Sequence, residues 1–375
     1  MSRRSSVASL SNIGCLVTAQ PVPRPRFWKS KGFQLTLGVS ISLACLWYAA
    51  RKLIQDPDAR QQFIQAFRVA DYRLLPVLLV MLVTFYTLKA YRWKLLLSPL
   101  GNYRTWGDCF GPMLAGFAVN NVAPARAGEI VRVMVFARRH SLPVVSVFTT
   151  VALERILDML SILIFLSIGL FSLPDMPEEM WKYALPIAAA ALTGVLGAVV
   201  FLVWTPAFVK FVDGGLALVR VPEGLRNKVR ALMETAADGL SSLKSPKKLA
   251  VIVIVSLLQW SLNGTMMYLS LRSFGVDVPF QAAMVLLGVV ALSVAVPSSP
   301  GFFGVVQFCF TETLKIYPVS EPAVLAASIY YHMMQYIPVT LLGLIWLSRS
   351  GFTMRDAEAP PETGESTQIP LTTDH

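Results

Sequence analysis

The chain alternates long apolar runs with short polar interruptions, and the lengths of the runs decide its class. A helix needs about 20 apolar residues to cross the hydrocarbon of a bilayer. Windows near that length fall at 33–50, 74–97, 144–172, 183–204, 249–272 and 322–347. Two further apolar stretches are broken. One, from Phe110 to Val135, is interrupted by Asn120-Asn121-Val122-Ala123-Pro124-Ala125-Arg126; the other, from Gln281 to Ile316, by Pro297-Ser298-Ser299-Pro300-Gly301-Phe302-Phe303-Gly304. Hydrocarbon offers no hydrogen-bond partners, so a polar, helix-breaking segment at membrane depth must be buried in protein or line a wet cavity. The pattern predicts an all-α polytopic membrane protein with about six full transmembrane helices and two re-entrant broken-helix hairpins.

Composition agrees with a membrane setting. Hydrophobic residues make up 55% of the 375 and charged residues 15%, and the mean hydropathy is +0.57, which excludes an ordinary soluble domain. The formal net charge of +11 does not indicate nucleic acid, because the Lys and Arg sit between apolar spans with no aromatic-interleaved basic domain. They report orientation instead. Residues 1–31 are basic, rich in Ser and Pro, and lack a signal-peptide cleavage pattern; they read as a disordered cytoplasmic tail. Residues 349–375 read as a second one. The segment Lys89–Arg104 and the linker 205–246 are basic, hence cytoplasmic, whereas Asp175-Met176-Pro177-Glu178-Glu179 is acidic, hence outside. All of these agree if each broken stretch returns to the side it entered from. Arg51, Lys52, Arg60, Arg68 and Arg73 dissent, and an amphipathic helix on the membrane surface accounts for them. The expected location is the bacterial cytoplasmic membrane, with both termini cytoplasmic.

That topology makes 74–172 and 249–348 two similar units entering from opposite sides, an inverted repeat. In transporters so built, paired broken segments meet near the midplane and form the substrate site. The residues at each break fit. Pro124 suits a first helical turn, so Ala127 to Arg139 should form a half-helix whose free N–H groups and positive dipole end lie beside Arg126. A guanidinium fork there matches phosphate. In the second break Ser299 can cap, Pro300 can take the first helical position, and Gly301 and Gly304 allow close approach of backbone or ligand. Gln307 either orients a head group or is a satisfied amide between helices. The candidate substrate-binding set is Asn120, Asn121, Arg126, Gly128, Glu129, Arg132, Ser298, Ser299, Gly301 and Gln307. Glu154, Arg155 and Asp158, inside an apolar span, need partners. Together with Arg126, Glu129 and Arg132 they sum to zero charge, so a structural ion-pair network pinning the hairpin to the next helix is their expected role. His332 is expected to be packed or hydrogen-bonded. The four cysteines lack metal-ligand spacing, no Walker motif is present, and no cofactor or catalytic residue is assigned.

Three ordered motifs carry a family resemblance: Asn121-x-x-Pro124-x-Arg126-x-Gly128-Glu129-x-x-Arg132, then Glu154-Arg155-x-x-Asp158, then Pro297-x-x-Pro300-Gly301-x-x-Gly304. Over roughly 33–348 the chain resembles the lysylphosphatidylglycerol synthase transmembrane region, or flippase-like, family. The resemblance implies a bacterial or archaeal membrane protein that moves a polar lipid between leaflets or supports that movement. Bifunctional members add a soluble aminoacyltransferase domain after the membrane part. Only a short tail follows Arg349, so that synthase activity is expected to be absent. Some relatives carry an acidic residue where this chain has Gln307.

Lipid translocation without covalent chemistry is therefore the expected function. The phosphate would engage Arg126, while Asn120, Asn121, Ser298 and Ser299 replace hydration and Glu129 or Asp158 accepts any cationic part. Two rivals remain: an integral lipid-phosphate transferase, and a non-transporting partner of a cell-envelope biosynthesis enzyme.

Overall fold

The computed structural model describes residues 31–101, 107–123, 127–172, 205–218, 221–227, 229–230, 245–295 and 300–351, with isolated positions between 186 and 197. Among these, the secondary structure is helical throughout. In chain order the helices are α1 (Lys31–Gln55), α2 (Pro57–Val69), α3 (Leu75–Leu97), α4 (Gly107–Val122), α5 (Ala127–Arg139), α6 (Val144–Phe171), α7 (Thr205–Leu218), α8 (Pro246–Ser273), α9 (Phe280–Ala295), α10 (Val305–Leu314) and α11 (Glu321–Arg349). Two spans, Tyr72–Leu97 and Pro246–Ser273, meet a strict length and hydropathy criterion for crossing a membrane. Both tails, most of the expected span 183–204, Pro124 to Arg126, and Ser298 with Ser299 lie outside the described residues.

Local chemistry explains the helix boundaries. α2 starts at Pro57, and the Asp56 carboxylate accepts the Asp58 N–H at 2.9 Å, the capping arrangement that satisfies an orphan donor. This helix is amphipathic and stands where the dissenting basic residues required one. It buries Ala59 and Ala66 and packs against α1 and the start of α11, where Lys52 pairs with Glu321. α5 begins at Ala127 and ends at Arg139, as expected. α10 departs from expectation. Pro300 opens a short 3-10 turn, Gly301 (φ 70°), Phe302 (φ 59°) and Gly304 (φ 83°) occupy the left-handed region, and the helix begins only at Val305. The cap is the Gln307 side chain, whose Oε1 accepts the Gly304 N–H at 2.8 Å. A Cβ on Gly304 would stand 2.1 Å from the Ser42 carbonyl oxygen, so this glycine admits the backbone of α1 and not a ligand.

Helix directions follow from named contacts. The Asp71 N–H, just before α3, donates to the Ser273 carbonyl at 2.8 Å, and Lys248 Nζ at the start of α8 donates to Ser98 Oγ at 3.4 Å. α3 and α8 therefore run antiparallel. α3 is also antiparallel to α6, since Lys89 meets Asp158 while Trp93 Nε1 donates to Thr150 Oγ1 at 3.0 Å. α4 and α5 fold back on one another so closely that a Cβ on Gly128 would stand 1.8 Å from the Gly116 carbonyl oxygen. The base of this hairpin meets Trp346 near the end of α11, through Gly111 and Arg139. The base of the α9/α10 hairpin lies at the opposite end, with Phe280 against Tyr268 of α8, ring centroids 5.5 Å apart.

The packing has a matching pattern in the two halves. α4 lies on α11, and α9 lies on α6. Each of these crossings uses glycine: Gly343 beside the Leu114 carbonyl, and Gly169 with Gly288 beside Val285 and Leu166. Small residues let helix backbones approach closely where no hydrophobic force drives association in lipid. Between α7 and the following segment, Arg226 forks onto Asp213 at 2.9 and 3.0 Å and holds that carboxyl below its usual range.

Candidate functional site

The two hairpin tips converge on the middle of α11. Asn121, at the end of α4, donates from Nδ2 to Thr340 Oγ1 at 2.8 Å, and the Tyr336 hydroxyl donates to the Asn121 carbonyl at 3.5 Å. From the other hairpin, Gly301 lies against the Tyr336 ring. Between the tips is a cavity of about 290 Å³, lined by residues of α3, α4, α6, α8, α9, α10 and α11 together with Gly301 and Phe302. Lys89, Arg155 and Asp158 give its wall charge; Asn121, Asn263, His332 and Gln335 give it polar groups; Phe85, Tyr86, Phe117, Trp260 and Tyr336 give it aromatic faces.

Behind one wall is a buried ion-pair cluster. Glu154 is fully buried and takes Arg132 in a fork, Nη2–Oε2 2.7 Å and Nη1–Oε1 3.3 Å. The Arg132 guanidinium also lies 3.7 Å from the Trp93 ring centroid, an attraction strengthened by desolvation. Asp158 Oδ1 accepts from Arg92 Nη2 (2.7 Å), Gln259 Nε2 (2.9 Å) and Trp260 Nε1 (3.0 Å), and its Oδ2 from Lys89 Nζ (3.0 Å) and Arg155 Nη1 (3.5 Å). Arg155 Nε reaches Glu129 at 2.9 Å. Isolated charges so placed would be very costly, whereas paired and hydrogen-bonded ones are sustained. Among the described residues four cations, Lys89, Arg92, Arg132 and Arg155, face three carboxylates, Glu129, Glu154 and Asp158. These residues therefore carry one formal surplus positive charge.

Lys89 and Arg92 correct the sequence-based expectation. The sequence counts them in the basic segment Lys89–Arg104 at the end of the span 74–97, yet both lie inside α3 with 3% and 0% exposure. The zero charge sum expected for the cluster omitted them. Their signal was available: Ser256, Gln259, Trp260 and Asn263 form a polar stripe at helical spacing on an otherwise apolar helix, and such a stripe demands polar partners across the interface.

The other candidates divide. Asn120 Oδ1 accepts the Gly128 N–H at 2.8 Å, so both serve the turn of the hairpin. Arg132 belongs with Glu154 in the ion-pair cluster. Gln307 caps α10 and stands 3.2 Å from His332 Nδ1, which makes it the satisfied amide of its two expected roles. His332 is both hydrogen-bonded and packed on Phe303, ring centroids 4.8 Å apart. Asn121 and Gly301 line the cavity. Glu129 stands just behind, on Arg155. Arg126, Ser298 and Ser299 lie outside the described residues. Glu154, Arg155 and Asp158 form the expected network, but Arg155 and Asp158 also reach the cavity wall.

The described residues, all helical in their secondary structure, with apolar spans and a paired charge cluster beside a cavity, have the character of a membrane protein. The chain belongs to the lysylphosphatidylglycerol synthase TM region family, whose model matches residues 35–343. It is 27% identical to a protein of Haloferax volcanii named glycosyltransferase AglD, over 85% of this chain and 54% of that one. UPF0104 membrane proteins of Methanocaldococcus jannaschii and Pyrococcus horikoshii are 23% and 22% identical, over 60% and 82% of this chain and 92% and 94% of theirs. The chain thus spans about half the length of the first relative and nearly all of the other two. No solved structure matches it.

Proposed function

We propose that this chain is a lipid flippase of a cytoplasmic membrane, moving a phospholipid or lipid-linked head group between leaflets through the cavity between two re-entrant hairpins. One observation carries the proposal: a cavity of about 290 Å³ touched by both hairpin tips and bordered by Lys89 and Arg155 of a cluster with surplus positive charge. In a low-dielectric site such a surplus attracts an anion far more strongly than it would in water. The antiparallel pairing of α3 with α8, and hairpin bases at opposite ends, support an inverted repeat with α4/α5 and α9/α10 as re-entrant elements. Under this topology the ends of α3 and the beginning of α8 are cytoplasmic, as are both termini. Ser298, Ser299 and Arg126 join the proposal on sequence grounds. Arg126 directly precedes α5, where a helix terminus favours anions.

The head group would leave water for the cavity while its acyl chains remain in lipid. Its phosphate would lie by Lys89, Arg155 and Arg126, with Asn121 replacing part of its hydration. No covalent step is required. The test is reconstitution into liposomes and measurement of leaflet exchange of labelled anionic, zwitterionic and aminoacylated lipids. Arg126→Ala and Arg155→Ala should each slow exchange of the preferred lipid at least tenfold. Unchanged exchange in both would remove the phosphate site. A second reading, a non-transporting partner of an envelope glycan or lipid synthase, has one observation in its favour: a relative named glycosyltransferase that is about twice as long as the matched region. Absence of exchange with every lipid would favour it.

A further inference from the structure

The geometry points to a head group made of an anionic phosphate and a neutral, hydroxyl-bearing ring, and to exclusion of head groups that carry a cation. The inference rests on the cavity being the head-group site. It departs from the expectation that Glu129 or Asp158 would accept a cationic substituent, because Asp158 is already fully engaged and Glu129 is not part of the cavity wall. Asp158, the carboxylate on the cavity wall, already takes five donors on its two oxygens. Glu129 is held by Arg155 and stands off the cavity lining. The charged groups left to meet a ligand are Lys89 and Arg155. An ammonium group entering here would lose its water, meet two like charges and find no free carboxylate among the described lining residues, an arrangement that rejects by repulsion as well as by unmet need.

The rest of the wall says what replaces a cation. Asn263, which accepts the Tyr331 hydroxyl on its Oδ1 at 2.9 Å, and Gln335 of α11 put two side-chain amides on the cavity wall. The same lining carries the rings of Tyr86, Trp260 and Tyr336. Aromatic faces cover a flat C–H surface while neighbouring amides meet hydroxyls at its edge. A pyranose ring presents both; an acyl chain or a bare phosphate presents neither. The volume of about 290 Å³ lies at the lower end for small-molecule pockets, roughly 300–1,000 Å³. It suits one sugar unit with its phosphate rather than an oligosaccharide.

The test is binding to the purified full chain in detergent, read as ligand-dependent thermal stabilisation and by native mass spectrometry. The probes are a short-chain polyprenyl phosphate hexose, the matching hexose 1-phosphate, phosphatidylglycerol and lysylphosphatidylglycerol. Expected is binding of the polyprenyl phosphate hexose at least tenfold tighter than of lysylphosphatidylglycerol, with Gln335→Ala weakening the sugar-bearing probes and leaving phosphatidylglycerol unchanged. Binding of the free hexose 1-phosphate at equal strength would also support the inference and would identify a soluble rather than a lipid-borne source. Equal or tighter binding of lysylphosphatidylglycerol, or no discrimination between the hexose lipid and phosphatidylglycerol, would overturn it. Because binding is read without transport, a protein that binds the hexose lipid but exchanges none in liposomes would refute the flippase proposal alone.

Discussion

Arg132 and Glu154 form a forked ion pair at 2.7 and 3.3 Å, buried at the junction of α5 and α6 and covered by the Trp93 ring. This pair fastens the second arm of the first hairpin to the next helix. Removing one partner leaves the other charged and buried, which costs about 3–5 kcal/mol. Glu154→Gln or Arg132→Ala should therefore lower the thermal unfolding midpoint in detergent markedly. The double replacement Arg132→Met with Glu154→Met should recover most of the loss, since a well-packed apolar substitute avoids the desolvation penalty. A double variant no better than the singles would contradict the pairing.

Gly304 combines a φ of 83° with the backbone of α1 beside it. Gly304→Ala should cost on the order of 1–3 kcal/mol from backbone strain, with a further penalty as α1 is displaced. Gly275 also has a positive φ, 69°, but open space around it. Gly275→Ala should cost less, and ranking the two by thermal melting checks that close helix approach is what Gly304 provides.

Membrane sidedness is open to direct measurement. In a cysteine-free background, Ser98→Cys, His140→Cys and Lys248→Cys should react with a membrane-impermeant maleimide from the cytoplasmic side. Asp71→Cys and Asp277→Cys should react from the other side only. Labelling of His140→Cys opposite to Ser98→Cys would show that α4 and α5 do not return to the side they entered from.

Element positions were legible in the sequence because apolar run length and helix breakers act locally. α3 and α6 fall within about a residue of their expected limits, and α5 was placed at Ala127–Arg139 from Pro124 and the following periodicity. The start of α10 was not legible. Pro300 is a valid first helical residue in isolation, but the turn after it has left-handed positions at Gly301, Phe302 and Gly304, with α11 packed on Gly301 and α1 on Gly304. The site was legible only in part. Asn121, Arg155, Asp158 and Gly301 line the cavity, but Lys89 and Arg92 read as interfacial charges; the polar stripe on α8 signals that polar partners face it without saying which carboxylate the two cations meet. Asp158 is that partner, and pattern along a single segment does not reveal it. Arg132 and Gln307, placed with the ligand from the sequence, have protein partners instead: Glu154 and His332 are brought near by the tertiary fold, and the Gly304 N–H is a local cap partner of Gln307.

The central claim is that a head group passes through the cavity between the hairpin tips. The most direct test places one cysteine there, as Gln335→Cys in a cysteine-free background, and follows leaflet exchange in liposomes before and after attachment of a bulky methanethiosulfonate reagent. Exchange should fall at least tenfold when the cavity is plugged and return when a reductant removes the plug, while the same treatment of Asp277→Cys leaves it unchanged. Exchange that continues at full rate with the cavity plugged would contradict the account.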